Sequence, residues 1–193
     1  KQLKNHGIYF REKDPKQSTS FSFTRFLVPY LCNYSGWAIF MDCDMLCRES
    51  ITKLWSQRDD NYSVMCVKHE HSPNEKRKFL NEIQTSYPKK NWSSLMLLNC
   101  NKCKKLSIDY VNNASGLDLH RFNWLEGDHL IGDISGNWNH LIGVCKETDL
   151  DLNSPLIHWT LGGPWFKELR TKSGALAAEW FSARDDAMKL WNE

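Results

Sequence analysis

Asp42 and Asp44 stand one residue apart at the end of an apolar run, Trp37-Ala38-Ile39-Phe40-Met41. Five such residues are too few for a helix and suit a buried strand. Open α/β sheets take their ligands at the carboxyl ends of strands. Two carboxylates there offer hard oxygens to Mg²⁺ or Mn²⁺, ions that commonly complete their shells with substrate phosphates. Aspartates also open turns, so the pair alone is also read as solvated turn residues. A second group is His158, near the end of the short apolar segment Leu156-Ile157-His158-Trp159-Thr160. Its neutral imidazole could be a third ligand to Mn²⁺ or a structural residue. Gly162-Gly163 follow. Backbone N–H groups at glycines can cradle a diphosphate, although glycine pairs also simply turn a chain.

The elements that must carry these groups follow from the pattern around them. Gly7 to Phe10 is a short candidate strand in a polar start that has no initiating Met. An α/β domain usually opens with a strand and a phosphate- or base-binding loop, and Lys1 to Lys16 supplies neither, so the sequence is read as lacking its natural beginning. Ser18, Thr19 and Ser20 offer caps for a helix from Phe21, with Phe23, Phe26, Leu27, Tyr30 and Leu31 on one face. Pro29 is expected to kink that helix or end it early. Asp44 leads through a short loop to a helix in which Ile51, Leu54 and Trp55 pack on the sheet. Arg58 to Asn61 is a turn, and Tyr62 to Val67 a second strand. Lys68 to Lys90 is a polar excursion, with a helix over Pro73 to Glu82. Long loops of this kind are often binding loops. Trp92 to Asn99 is a third buried strand, Lys102 to Asn112 a helix, and Gly116 to Phe122 a second short one. Glu126, Asp128, His129 and Asp133 follow, then Asn137-Trp138-Asn139. From Gly174 to Trp191 a helical period returns, with Ala177, Trp180, Phe181, Met188 and Trp191 on one packing face.

The bulk numbers exclude several classes. A length of 193 residues allows one domain with a sizeable core, and a net charge of +2 gives no basic field for nucleic acid. No apolar stretch reaches membrane-spanning length and no signal peptide is visible. The seven cysteines are an odd number and are read as reduced thiols of a cytoplasmic protein. Cys100-x-x-Cys103 has no second half that would complete a zinc site.

Together these pieces resemble glycosyltransferase family 8. The resemblance rests on Ser22 to Leu31, then Ile39-Phe40-Met41-Asp42-Cys43-Asp44, then Ile51 to Trp55. It continues through Asn91 to Asn99, Trp124 to Asp133 with Trp138-Asn139, and Ile157-His158-Trp159-Thr160-Leu161-Gly162-Gly163-Pro164-Trp165. It covers roughly Ser18 to Phe166, and is closer still to family-8-like chains of bacteria and phages. The resemblance implies a GT-A fold, a Rossmann-like mixed sheet flanked by helices, in a single domain over residues 1–193. It implies a nucleotide-sugar donor, commonly UDP-linked, an acceptor that is a glycan, lipid-linked or protein group, Mn²⁺ or Mg²⁺, and transfer with retention. Carried over, Asp42, Asp44 and His158 bind the metal, Arg25 contacts the donor, Gly162 and Gly163 sit by the diphosphate, and Asp128 positions the sugar or stabilises the reacting centre.

Three departures stand out. The family's first strand has no counterpart. The Lys of the closing motif is not at its place, where Pro164 precedes Trp165 and Lys167 is the substitute. Gly127 or His129 stands where the family carries Gln beside the acid. The alternative from another class is a GT-A-like module that binds sugar or nucleotide without turnover. A nucleotidyltransferase would need an early Gly-rich basic loop, which is absent. Trp92, Trp124 and Trp165 are candidates to stack on a sugar, Ser93 and Ser94 to bond its hydroxyls, and Lys89 and Lys90 to meet phosphate.

Overall fold

The computed structural model describes residues 2–12, 22–69, 89–134, 137–145, 153–171 and 174–191. Ser18 to Ser20 as caps and the Pro73 to Glu82 helix lie outside the described residues. The chain opens with α1 (Gln2–Asn5), then passes a 3-10 turn (Thr24–Leu27) into α2 (Val28–Leu31). Strand β1 (Trp37–Met41) and strand β2 (Met45–Cys47) flank the two aspartates. Helix α3 (Ile51–Trp55), β3 (Val64–Cys66), β4 (Leu95–Asn99), α4 (Ile108–Asn113), α5 (Gly116–His120), β5 (Ile131–Asp133), β6 (His140–Leu141) and β7 (Leu156–His158) follow. Helices α6 (Lys167–Arg170) and α7 (Gly174–Trp191) complete the order.

The strands form two sheets, one of order β1-β4-β3-β5 and one of order β2-β7-β6. The larger sheet is mixed: β4 runs antiparallel to β1 and β3, and β5 runs parallel to β3. The architecture is therefore α/β with mixed sheets flanked by helices. Leu95, Met96, Leu97 and Leu98 are all fully buried, because alternate side chains of β4 point to opposite faces and both faces are covered. Met96 and Leu98 join Phe26, Leu27, Val111 and Leu119 in one cluster, while Leu95 and Leu97 join Leu54, Trp138 and Leu156 in the other.

Several expectations need correction. Strand β1 is an edge strand and half-buried along its length, so the apolar run before Asp42 is not the buried strand expected of it; β4, inside the sheet, is fully buried. Gly7 to Phe10 forms no strand; the segment is pinned instead by Asn112, whose amide accepts from Phe10 N–H at 2.8 Å and donates to Ile8 O at 3.0 Å. Pro29 neither kinks nor ends a helix. It sits in the first turn of α2, where its missing N–H has no partner to lose. Ser93 and Ser94 lie in a 3-10 turn ahead of β4 rather than in the strand. Helix α4 begins only after Ser107, whose hydroxyl caps Tyr110 N–H. Ile51 is exposed while Leu54 is buried, so the packed face of α3 is narrower than its sequence suggested. Met188 and Trp191 are exposed too, so α7 packs through Ala177, Trp180 and Phe181 but not through its last turn.

Candidate metal and donor site

The backbone delivers the site from three directions. Beyond the end of β1, Asp42 N–H donates to Ser94 O at 2.9 Å, which ties the first aspartate to the segment entering β4. After Asp44 the chain does not loop away. It forms β2, which pairs antiparallel with β7 and sets Met45 opposite His158. Trp159 N–H then donates to Asp44 O at 3.0 Å. This short ladder brings into contact two segments that are far apart in the sequence. The apolar run from Leu156 marks one of its strands, but Met45-Leu46-Cys47 is too short and ordinary a triplet to announce the other.

His158 is buried, and its Nε2 lies 3.2 Å from Asp44 Oδ1. One ligand atom each from Asp42, Asp44 and His158 falls within 4.8 Å of the others. Among the described residues this is the one such group of metal-type side chains. Asp44 Oδ1 is itself buried and lacks a hydrogen-bond partner. A carboxylate oxygen left that way is costly unless a cation or proton faces it. Two carboxylates and an imidazole are donors that suit Mn²⁺, and the carboxylates suit Mg²⁺. The residues present therefore fit a divalent ion.

Arg25 holds one side of this group. Its Nη2 pairs with Asp42 Oδ1 at 2.8 Å, and its Nη1 donates to Asp42 Oδ2 at 3.2 Å and to Ser93 O at 2.8 Å. Nε donates to Ser22 O at 2.8 Å, and the guanidinium lies over the Phe40 ring. A planar fork serves these acceptors at once, which lysine could not. Burial pushes the Asp42 carboxyl above the usual range even so, and the Asp44 charge adds to it, while Arg25 and His158 oppose. Burial first, then the two flanking carboxylates, also raise the exposed Cys43 thiol, which favours its protonated form.

Gly162 and Gly163 lie directly after this ladder. Gly162 has φ +104° and donates its N–H to Trp159 O at 2.8 Å. A Cβ at Gly163 would fall 2.2 Å from the Trp165 ring. Asp128 is exposed and pairs with Lys89 Nζ at 2.5 Å, and Lys89 also donates to Arg121 O. Asp128 is not in the group of Asp42, Asp44 and His158.

The accessory candidates have protein partners. Ser93 Oγ bonds His120 Nδ1, and Ser94 Oγ bonds Asn91 O. Trp124 is buried; Trp165 packs between Trp159 and Trp180; Trp92 donates to His69 O at 3.1 Å. Lys90 is buried. Sequence reasoning passed over Asn139, whose amide reaches both Ser94 Oγ and His158 Nδ1. The pair Trp138-Asn139 was visible beside the acidic segment, but nothing in one sequence marks an Asn as the neighbour of a distant His. His69 was also missed. Burial, then the charges of His158 and His140, hold its imidazole down to about 4.

A sequence model of glycosyl transferase family 8 matches residues 1–111, more than half the chain. The chain belongs to glycosyl transferase family 8. The matched span contains Arg25, Asp42 and Asp44. Protein CDI of Arabidopsis thaliana is 47% identical over 168 residues, which cover 85% of this chain and 64% of that protein. The chain thus spans under two thirds of the length of that curated relative. A solved glycosyltransferase involved in the glycosylation of the major capsid of PBCV-1 is similar over 83% of this chain and 82% of its own. Its identity is 13% and its TM-score 0.47. No helix among the described residues is long and apolar enough to cross a membrane.

Proposed function

We propose that this chain carries the catalytic core of a metal-dependent glycosyltransferase. It takes a sugar from a nucleotide-sugar donor, a UDP-sugar in the first instance, and transfers it with retention to a glycan, lipid-linked or protein acceptor. The observation that carries this reading is the convergence of Asp42, Asp44 and His158 in a family 8 chain. When bound, Mn²⁺ or Mg²⁺ supplies positive charge against the diphosphate leaving group. Asp42 and Asp44 would hold it with His158. Arg25 orients Asp42 and would contact the donor. Gly162 and Gly163 would sit by the diphosphate, where the lack of side chains lets it approach the backbone. Asp128, anchored by Lys89, positions the sugar or steadies the cationic centre that develops as the glycosidic bond lengthens. Seven unpaired cysteines support a reducing compartment such as the cytoplasm.

Mn²⁺-dependent hydrolysis of UDP-sugars tests the reading, with Asp42→Asn and Asp44→Asn beside the parent chain. Both variants are expected to lose at least about a hundredfold in rate while keeping the melting profile of a folded protein. Full activity in both would overturn the assignment. Metal-dependent donor binding with no turnover in the parent chain would favour the binding module instead.

A further inference from the structure

The imidazole of His158 is useful to a cation only if Nε2 carries a lone pair rather than a proton. A relay of hydrogen bonds decides which nitrogen holds the proton, because it starts at a group that can only accept. Asn91 O is a carbonyl, so the bond of 2.6 Å between it and Ser94 Oγ takes the Ser94 proton. Ser94 Oγ must then accept in its 2.8 Å bond to Asn139, which puts the Asn139 NH₂ on that side. The Asn139 carbonyl oxygen is left to face His158 Nδ1 at 2.9 Å. That oxygen also only accepts, so Nδ1 must donate. In the neutral ring, Nε2 is then bare and lies 3.2 Å from Asp44 Oδ1, an oxygen that itself has no hydrogen-bond partner. Two lone-pair atoms stand side by side, an arrangement a cation resolves.

The geometry points to Asn139 as the positioning residue that fixes the His158 tautomer for metal binding. Its polarity is imposed from Asn91 through Ser94. Asn139 is 1% exposed, so water does not offer a substitute partner. Ser94 also fixes the other arm, since its carbonyl accepts Asp42 N–H at 2.9 Å. Ser94 thus bears on the His158 tautomer through Asn139 and on the placement of Asp42 directly. This inference deepens the proposed metal site and rests on it for its purpose, although the tautomer itself does not.

Long-range ¹H–¹⁵N NMR on the metal-free chain, at a pH where the ring is neutral, reads the tautomer directly. The Nδ1–H form of His158 is expected in the parent chain. In Asn139→Leu the signal should shift toward the Nε2–H form. Asn139→Asp should keep Nδ1–H, because a carboxylate also only accepts. Binding of Mn²⁺ alone, followed by the EPR signal of the free ion, is expected to weaken about tenfold or more in Asn139→Leu and by less in Asn139→Asp. An Nε2–H ring in the parent chain overturns the inference with no variant needed, as does parental Mn²⁺ affinity in a folded Asn139→Leu. A parent chain with the Nδ1–H ring and no Mn²⁺ binding overturns the metal reading and Asn139's role in it, while leaving the tautomer as measured.

Discussion

At the scale of single residues, Asp42 has to be kept usable as an anion. Its carboxylate is half-buried and beside a second negative charge, and burial alone would favour its neutral form. Arg25 opposes this with contacts to both carboxylate oxygens, and its own orientation is fixed by the carbonyls of Ser22 and Ser93. Breaking such a pair by removing the cation leaves an uncompensated charge and two carbonyls without their donor. Arg25→Ala is expected to cost about 3 kcal/mol in urea unfolding. Arg25→Lys should recover only part of that, because an ammonium cannot span the same acceptors. A loss under about half a kcal/mol for Arg25→Ala would show the pair to be incidental. His69 carries a pH dependence of its own. Its imidazole ordinarily titrates near 6.5 and is held down to about 4 by burial first, then by the charges of His158 and His140. Above pH 6.5 both folded and unfolded chains leave it neutral. As pH falls from there toward 4, the unfolded chain takes up a proton that the folded chain refuses, so stability is lost. The loss in that window is on the order of 3 kcal/mol. Urea titrations from about pH 7 down to about 4 should show a steeper decline for the parent chain than for His69→Leu. Parallel declines would remove His69 from that role. The aspartates and His158 were legible as candidates in the sequence, because their types limit what they can do, whereas Arg25 was a candidate only through the family resemblance. Asn139 was not, since an amide becomes informative only when its partners are known.

At the scale of elements, the short ladder between β2 and β7 makes the site, and it was the least legible part. An apolar run looks the same at a sheet's edge as at its centre, which is why β1 was expected to be more buried than it is. Three residues such as Met45 to Cys47 carry no period at all. The turn after β7 is held by packing that leaves no slack at Gly163. The Trp165 ring covers its Cα and is confined by Trp159 and Trp180, at centroid distances of 6.0 and 5.3 Å. Gly163→Ala is expected to destabilise by about 1–3 kcal/mol through overpacking, read as a lowered melting temperature. An unchanged melting temperature would mean that the aromatic cluster gives way freely.

At the scale of the whole molecule, the two-sided burial of β4 was legible in Leu95 to Leu98, and the helix from Gly174 was found where its period placed it. Its role was not. Glu179 forms a forked ion pair with Arg48, at 2.7 and 2.6 Å, so α7 is fastened to the residue that follows β2. Trp180 of the same helix packs on Trp165 beside the glycine turn. The C-terminal helix therefore braces both β2 and the turn that follows β7, which is more than the filling of a core. On the proposed reading, these braces serve the joint action of Asp42, Asp44 and His158 on a cation that carries the donor's diphosphate. Calorimetry of UDP binding with and without Mn²⁺, in the parent chain and in His158→Ala, tests that most directly. The expected result is a binding heat that requires Mn²⁺ and an affinity that falls at least about tenfold in the variant. UDP binding that ignores the metal, or a folded His158→Ala that binds UDP with Mn²⁺ as the parent does, would contradict it.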